Sequence, residues 1–172
     1  MKLEPICLPI REDLKKVEAF IQSQIHSAVP LVTDVAEYVI QNGGKRIRPI
    51  LCLLAARLAG FSGERAIQSA AALEFMHTAS LLHDDVIDNA EIRRGKSSAN
   101  SRWGNQVSVL VGDFFYCRVC DIFVSQKDLR LLKLITQTMV QTTEGEVLEI
   151  AASNNPELTE DQYLEIIKNK TA

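Results

Sequence analysis

Three carboxylates stand close together at the end of a helical pattern, in the segment Asp84-Asp85-Val86-Ile87-Asp88. Asp84 and Asp88 are four residues apart and therefore share one face of a helix, with Asp85 one step round. At about 5 Å and an effective dielectric constant near ~20, each like-charge pair costs on the order of 3 kcal/mol. Oxygen ligands of this kind suit Mg²⁺, which binds carboxylates together with the phosphates of a substrate. The segment therefore predicts a magnesium site.

Two arginines follow these acids closely along the chain. Arg93 and Arg94 carry planar guanidinium groups whose geometry matches the oxygens of a diphosphate. A solvated helix end is the alternative, but three acids at a helix C-terminus oppose the helix dipole instead of complementing it. Ala79, Leu81 and Leu82, which precede the acids, are apolar, so we expect the acids to lie at the edge of a buried region. The pattern favours a diphosphate that is bridged by a metal ion.

A second basic cluster lies in the segment 43–49, where two glycines precede Lys45, Arg46 and Arg48. Glycine lets a backbone approach a ligand closely, and helix N-termini attract anions. Taken alone, the segment fits an anion site and a plain helix–helix turn equally well. His77 lies seven residues before Asp84 and shares a helix face with it. A lone helical histidine is more often an ordinary core residue, and the shared face removes much of that preference.

Length and composition narrow the class of protein. The chain has 172 residues, 47% of them apolar, and a formal net charge of −3. This length suits one domain, and the negative charge argues against nucleic acid as the main partner. Because no segment is long and apolar enough to span a bilayer and the first residues do not resemble a signal peptide, we expect a cytoplasmic protein. The lone pair Cys117 and Cys120 fits a helix face better than a zinc site.

Helical periodicity dominates the chain, and the alternation that is typical of β-strands is almost absent. We therefore predict an all-α fold with a polar loop over 89–101. The predicted helices cover residues 11–26, 30–41, 48–60, 64–88, 103–124, 128–152 and 159 onwards. The last helical pattern reaches the final residue without a glycine, a proline or a cap, so we expect a chain that is cut rather than finished.

In this order, the motifs closely resemble those of the trans-isoprenyl diphosphate synthases, also called polyprenyl synthetases. The resemblance implies an all-α, isoprenoid synthase-type helical bundle around a central cavity, with residues 1–172 as the N-terminal portion of a single polyprenyl synthetase domain. It also implies a Mg²⁺-dependent homodimer that condenses isopentenyl diphosphate with an allylic primer, farnesyl or geranylgeranyl diphosphate. The matching segments are 43–49, His77, 84–88, 93–95, Gly112-Asp113-Phe114, Gly145-Glu146 and Lys170-Thr171.

The resemblance implies a role for each matching residue. The three acids would serve Mg²⁺, with Asp84 and Asp88 as more direct ligands than Asp85. The diphosphate of the allylic substrate would be contacted by Arg93, Lys170 and Thr171. The diphosphate of isopentenyl diphosphate would be held by Lys45, Arg48, His77 and Arg94.

Two small residues bear on the length of the product. In the family, bulky side chains four and five positions before the first aspartate of the motif stop the growing prenyl chain. Ser80 and Ala79 occupy those positions here. The resemblance therefore implies a long product, heptaprenyl to decaprenyl, with octaprenyl as the central expectation.

The sequence departs from the family pattern in one respect. Family members carry a second aspartate-rich motif on a later helix, and no further D-D-x-x-D follows Asp88 in this chain. We therefore expect these residues alone to be inactive or nearly so, as the N-terminal part of a longer enzyme. The alternative is a non-catalytic, regulatory subunit of a heteromeric prenyl diphosphate synthase, although the intact acids weigh against it. A terpene cyclase is disfavoured by the segment 43–49, because a cyclase has no isopentenyl diphosphate to hold.

Overall fold

The computed structural model describes residues 4–153 and 155–170, and nearly all of their regular structure is helical, which confirms the all-α prediction. A single 3₁₀ turn and one short antiparallel hairpin accompany the α-helices in these residues. The elements are α1 (Glu4–Cys7), the 3₁₀ turn (Leu8–Ile10), α2 (Arg11–Gln24), α3 (Pro30–Gln41), α4 (Ile47–Leu58), α5 (Glu64–Ile87), β1 (Ile92–Arg93), β2 (Lys96–Ser97), α6 (Ala99–Trp103), α7 (Asn105–Ser125), α8 (Leu129–Ala152) and α9 (Glu160–Lys170).

The predicted polar loop over 89–101 is wrong in detail. It contains the β1–β2 hairpin and the first residues of α6. Two-residue strands are too short to show alternation, and a five-residue helix is barely longer than one helical turn, so neither leaves a periodic signal. The predicted helix from residue 103 is also divided, because Gly104 has a φ of +86° and separates α6 from α7.

Helix α5 is the central element of the first compact unit, which ends at Gln126. Its apolar residues are buried on several sides, so the helix lacks a solvent face over much of its length. Three consecutive alanines, residues 70–72, have no exposed area and let neighbouring helices approach closely. The most extensive contact is with α7, where the rings of Phe75 and Phe115 lie 5.3 Å apart between centroids. The acids at the end of α5 are therefore held by a packed core.

The C-terminus of α5 is closed by a left-handed residue. Asn89 has a φ of +51°, and its amide donates to the Val86 carbonyl at 3.3 Å. The Ala90 amide donates to the Asp85 carbonyl at 2.9 Å. This pair of bonds is the Schellman arrangement, which satisfies helix carbonyls and turns the chain away from the axis. The chain consequently folds back beside the acids instead of continuing into solvent.

The returning chain forms the two-arginine hairpin, residues Ile92 to Ser97, in which Arg93 pairs with Lys96. Its two turn residues, Arg94 and Gly95, have φ values of +53° and +78°. Positive φ at both central residues matches a type I′ turn, whose twist suits a tight hairpin. Arginine is an uncommon residue in this conformation, because its Cβ is crowded there.

The second compact unit begins at Lys127 and contains α8 and α9, which pack against each other. The Asp128 side chain caps α8 by accepting hydrogen bonds from the amides of Arg130 and Leu131. Gly145 allows the two helices to approach, since a Cβ there would lie 2.6 Å from the backbone nitrogen of Lys170. That residues 1–172 belong to one domain stays a prediction. Among the described residues, none of the helices is long and apolar enough to cross a membrane.

Candidate functional site

The acids at the end of α5 occupy different environments. Asp85 is 4% exposed, whereas Asp84 is half-buried and Asp88 is exposed. Asp84 and Asp88 are one helical turn apart, and the Asp88 amide donates to the Asp84 carbonyl at 2.8 Å. The pair therefore lies towards the surface, while Asp85 points into the protein.

Asp85 anchors the two-arginine hairpin. Its Oδ1 atom accepts a hydrogen bond from Arg93 Nε at 2.7 Å and a second one from Arg93 Nη2. This bond, together with the charge of Asp85, raises the pKa of Arg93. The Asn100 side-chain amide also donates to the Asp85 carbonyl at 3.2 Å, which ties α6 to the same turn of α5. Asp85 thus positions a cation next to the two outer acids.

The second arginine of the hairpin meets the glycine turn that precedes α4. A Cβ on Gly44 would lie 2.8 Å from Arg94 Nη1, so a larger residue there would require this guanidinium to move. The two segments are about fifty residues apart in sequence. Their contact brings Arg94 beside Lys45 and Arg48, as the resemblance requires of residues that hold one diphosphate.

Arg46 has a structural environment that the sequence did not reveal. Its φ is +50°, and its guanidinium is bound by Glu18 on α2, at 2.6 Å from Nε, and by Glu74 on α5, at 3.0 Å from Nη1. It also donates to the Ile40 carbonyl at the end of α3. Burial alone would lower the pKa of Arg46, but the two glutamates raise it. Arg46 therefore joins three helices to the turn, and its charge is neutralised inside the protein.

These segments surround the basic cavity, which has a volume of about 580 Å³. Its charged lining includes the cations expected to hold one diphosphate, and Arg46 with Glu74 forms its inner wall. A smaller cavity of about 30 Å³ lies next to it and reaches Asp85 and Arg93. The residues that line the basic cavity are Asn42, Gly43, Gly44, Lys45, Arg46, Ile47, Arg48, Glu74, His77 and Arg94.

His77 lies in both cavities and is uncharged at neutral pH. Burial, followed by the charges of Arg48, Arg94 and Arg93, lowers the pKa of His77 to about 4. A neutral imidazole can donate one hydrogen bond to a phosphate oxygen without adding to the repulsion among the arginines. The surrounding cations are therefore the source of the positive charge of the cavity.

The second unit holds the remaining cation that the resemblance assigned to a diphosphate. Lys170 Nζ lies 3.0 Å from Glu146 Oε2 and also contacts Glu149. The hydrogen bond that Lys170 donates to Glu149, together with its hydrogen bond to Glu146 and the charges of both glutamates, raises the pKa of Lys170. Thr171 lies outside the described residues. Lys170 is thus held by two carboxylates of α8.

The two residues assigned to product length differ in exposure. Ala79 is completely buried, whereas Ser80 is partly exposed and its hydroxyl donates to the His77 carbonyl at 2.9 Å. A large side chain at position 79 would have to displace the buried side chains that pack around Ala79. Ser80 is the position at which bulk can be added with less damage to the fold.

The metal prediction can be tested against the donor atoms. In the part of the chain that the structure describes, no three His, Cys, Asp or Glu side chains are grouped so that they could together hold a metal ion. Asp85 is directed to Arg93. The outer acids Asp84 and Asp88 still offer carboxylate oxygens one helical turn apart, a pair that suits a Mg²⁺ ion which takes its other ligands from phosphates and water.

Sequence reasoning missed the groups that support the predicted ones. Glu74 was visible as an acid within an apolar helical pattern, a signal that a buried partner exists. Gly112 does lie in a matching segment, but its contact was not foreseen: a Cβ there would overlap the ring of His83, whose Nε2 lies 3.1 Å from the Val109 carbonyl. Glu18, the other partner of Arg46, gave no signal, because an acid on an amphipathic helix is ordinarily solvated.

Comparison with known proteins adds an independent result. A family model described as polyprenyl synthetase matches residues 29–172. Octaprenyl diphosphate synthase of Escherichia coli (strain K12) is 43% identical over 172 residues, which is 100% of this chain and 53% of that protein. Heptaprenyl diphosphate synthase component 2 of Geobacillus stearothermophilus is 34% identical over 172 residues, covering 100% of this chain and 54% of that protein.

A solved structure agrees with the fold. The crystal structure of polyprenyl synthase from Caulobacter crescentus CB15, complexed with calcium and isoprenyl diphosphate, superimposes with a TM-score of 0.94 at 38% identity. The match covers 98% of this chain and 52% of that one. The chain spans about half the length of the curated relatives it matches.

Proposed function

This chain belongs to the polyprenyl synthetase family, and from that premise we propose that it supplies the isopentenyl diphosphate site and part of the allylic site of a trans-prenyltransferase. The observation that supports the proposal most directly is the basic cavity. Segments from three parts of the sequence, the glycine turn, α5 and the two-arginine hairpin, meet there with Lys45, Arg48 and Arg94.

The basic cavity would take the diphosphate of isopentenyl diphosphate. Lys45, Arg48 and Arg94 supply charge, and neutral His77 supplies a hydrogen bond. Arg46 is excluded from this role, because Glu18 and Glu74 already bind its guanidinium. The glutamates thereby neutralise a fourth cation in the wall of the basic cavity while fixing the turn.

The allylic diphosphate would bind at the end of α5. Asp84 and Asp88 would hold Mg²⁺, Asp85 would orient Arg93, and Arg93 would contact the diphosphate. The roles of Lys170 and Thr171 at the same diphosphate rest on the resemblance alone. When bound, Mg²⁺ supplies neutralisation of the charge that develops on the departing diphosphate. Arg93 assists in the same way, and its position is set in advance by a buried carboxylate, so little reorganisation is needed.

The reaction then requires no protein nucleophile. The allylic C–O bond breaks and its electron pair leaves with the diphosphate, giving a delocalised allylic cation. The alkene of isopentenyl diphosphate, held in the basic cavity, attacks that cation and forms the new C–C bond. Loss of a proton to the departing diphosphate restores an alkene that is five carbons longer. The residues of this chain bind and orient both substrates.

We further propose a long product, octaprenyl in the central case. The support is that Ala79 and Ser80 are both small, and that the relative in Escherichia coli is named octaprenyl diphosphate synthase. A cytoplasmic location and a homodimeric assembly remain proposals, and light scattering of the purified protein at several concentrations tests the second.

The 172 residues alone are proposed to bind diphosphates but not to turn them over, because the sequence holds one D-D-x-x-D motif. A second candidate, a subunit of a heteromeric synthase, is favoured by the similarity to a protein named component 2 of a heptaprenyl diphosphate synthase. Both candidates retain the diphosphate site and differ in the partner that completes the enzyme.

Labelled isopentenyl diphosphate with farnesyl diphosphate and Mg²⁺ tests the function. The chain is assayed alone and with a polypeptide that carries the second aspartate-rich motif of the family. We expect product only in the mixture, and none when the Asp84→Asn chain is used. Turnover by the chain alone would contradict the proposed incompleteness. Isothermal titration with inorganic pyrophosphate tests the basic cavity itself: Arg94→Met should weaken binding at least tenfold, whereas the exposed Arg57→Met serves as control.

A further inference from the structure

We propose that Tyr38, Arg102 and Trp103 are positioning residues that hold the two-arginine hairpin in place for both diphosphates. The proposal rests on the proposed function, which gives Arg93 to the allylic diphosphate and Arg94 to isopentenyl diphosphate. We call the three residues the aromatic clamp. None of them belongs to a motif that the sequence singled out.

The aromatic clamp joins α3 to α6. The rings of Tyr38 and Trp103 meet edge to face, with centroids 5.0 Å apart at 75°. The Arg102 guanidinium lies over both rings, 4.8 Å from the centroid of Tyr38 and 4.5 Å from that of Trp103. An edge-to-face pair and a cation over aromatic faces are each favourable, so the three side chains restrain one another.

The clamp reaches the hairpin through one hydrogen bond. The Tyr38 hydroxyl donates to the Ser97 carbonyl at 2.8 Å. Ser97 is the last residue of β2 and pairs with Ile92, which directly precedes Arg93. Ser98, the next residue, is 1% exposed, and its hydroxyl donates to the Ala90 carbonyl at 2.6 Å. The base of the hairpin is therefore fixed on the side of β2.

The hairpin requires such support because it is very small. A two-stranded hairpin is marginal in water even at greater length, and here each strand has two residues. Its turn also contains Arg94 in a left-handed conformation, which needs a surrounding structure to maintain it. Asp85 restrains β1 through Arg93, and Tyr38 restrains β2 through Ser97. The hairpin thus has one external anchor on each strand.

The position of the clamp predicts which substrates it serves. Because Arg93 and Arg94 are consecutive, a shift of the hairpin moves the cations of both diphosphate sites together. The glycine turn, in contrast, contributes only to the basic cavity. Loss of the clamp should therefore weaken the binding of both diphosphates by a similar factor, whereas a change in the glycine turn should weaken the binding of isopentenyl diphosphate alone.

Hydrogen exchange of the 172-residue chain tests the restraint without a ligand. We compare the unmodified chain with Tyr38→Phe, which keeps the ring and removes the hydroxyl, and with Arg102→Met. Amides of residues 91–98 should exchange about fivefold faster in Tyr38→Phe, since one hydrogen bond is lost, while amides of α5 are unchanged. Tyr163→Phe and Arg57→Met are the matched controls, because both replace exposed side chains elsewhere.

Trp103 provides a spectroscopic signature, because it is the only tryptophan of the chain. Its emission should change when inorganic pyrophosphate binds to the unmodified chain and should lose that response in Arg102→Met. Arg102→Lys, which keeps a cation over the rings, should restore part of it. Titration should show pyrophosphate binding about fivefold weaker in Tyr38→Phe, with a melting temperature lowered by no more than about 4 °C.

In the assay with the second polypeptide, the KM for both substrates should rise in Tyr38→Phe, while kcat should fall by a smaller factor than KM rises. Unchanged exchange of residues 91–98 in Tyr38→Phe and Arg102→Met would overturn the positioning role, as would a rise in KM for one substrate alone. If the unmodified chain binds no pyrophosphate, the proposed diphosphate site is wrong, and the exchange data still decide whether the clamp holds the hairpin.

Discussion

Arg46 and Arg94 are two arginines with left-handed backbones, and both lie in the candidate site. Positive φ is found in only a few per cent of non-glycine residues, and such strain persists where surrounding contacts enforce it. The conformation of Arg46 is maintained by contacts with two glutamates and a carbonyl, and that of Arg94 by the hairpin turn. The two residues nevertheless have different roles, since one is neutralised inside the protein and the other faces the basic cavity.

The acids of the first motif should separate by role when they are replaced one at a time. Asp85→Asn weakens the charge-assisted bonds to Arg93 in a buried place and should reduce the free energy of unfolding by about 2 kcal/mol. Asp88→Asn alters an exposed side chain and should change it by less than about 0.5 kcal/mol. Urea denaturation measures both, and pyrophosphate titration with Mg²⁺ should show the metal-dependent part of binding lost in Asp88→Asn. Equal destabilisation by the two variants would contradict this assignment.

His77 should make stability depend on pH. Its pKa is about 4 in the folded protein and 6.5 in the unfolded chain, so the unfolded state binds more protons between these values. The stabilising contribution of neutral His77 is present above pH 6.5 and is lost as the pH falls towards 4. Because the side chain is partly exposed, we expect a loss of only about 1 to 2 kcal/mol. Urea denaturation at pH 7 and pH 4.5 should show a smaller loss for His77→Gln, and parallel behaviour of the two proteins would be contrary evidence.

At the scale of elements, the site depends on α5 more than on any other segment. The helix presents Glu74 and His77 to the basic cavity, and it carries the acids at its C-terminal end. Its buried alanines and its contact with α7 fix its position, so that short segments can be arranged around it. The glycine turn and the hairpin have little core of their own and are held to α5 by ion pairs.

Arg46 should therefore contribute to stability through its buried ion pair with Glu74. In Arg46→Met, Glu74 keeps a charge at 4% exposure without its partner, and we expect a loss of about 3 kcal/mol in the free energy of unfolding. Arg57→Met breaks an exposed pair with Asp13 and should cost less than about 1 kcal/mol. Chemical denaturation of both variants is the measurement. A similar, small loss in both would mean that the buried pair does not fix the turn.

At the scale of the whole molecule, the chain holds the basic cavity and one acidic motif within a fold that its relatives extend to about twice the length. The basic cavity lies within the first unit, and the Lys170–Glu146 pair lies within the second. Under the proposal made above, we expect catalysis only in a longer assembly, in which both aspartate-rich motifs of the family meet one substrate.

Product length is a prediction for that assembly. Ser80→Phe adds bulk at a partly exposed position and should shorten the prenyl product in the mixture with the second polypeptide. Ala79→Phe should in addition lower stability by about 1 to 3 kcal/mol, because Ala79 has no exposed area. Chromatography of the dephosphorylated products gives their lengths. An unchanged length distribution in Ser80→Phe would remove this residue from the control of chain length.

The sequence by itself determined the all-α class, the long helices and the residue types of the candidate site, because periodicity and charge are local properties of a chain. The tertiary structure decided which cations are neutralised by carboxylates and which remain to line the basic cavity. Lys45, Arg46 and Arg48 look alike in sequence, and only packing against α2 and α5 shows that Arg46 is neutralised there. Packing likewise decided that Asp85 anchors Arg93 and that Tyr38 meets Ser97 across 59 residues. Such contacts depend on how helices are placed in space, and no short pattern encodes that placement.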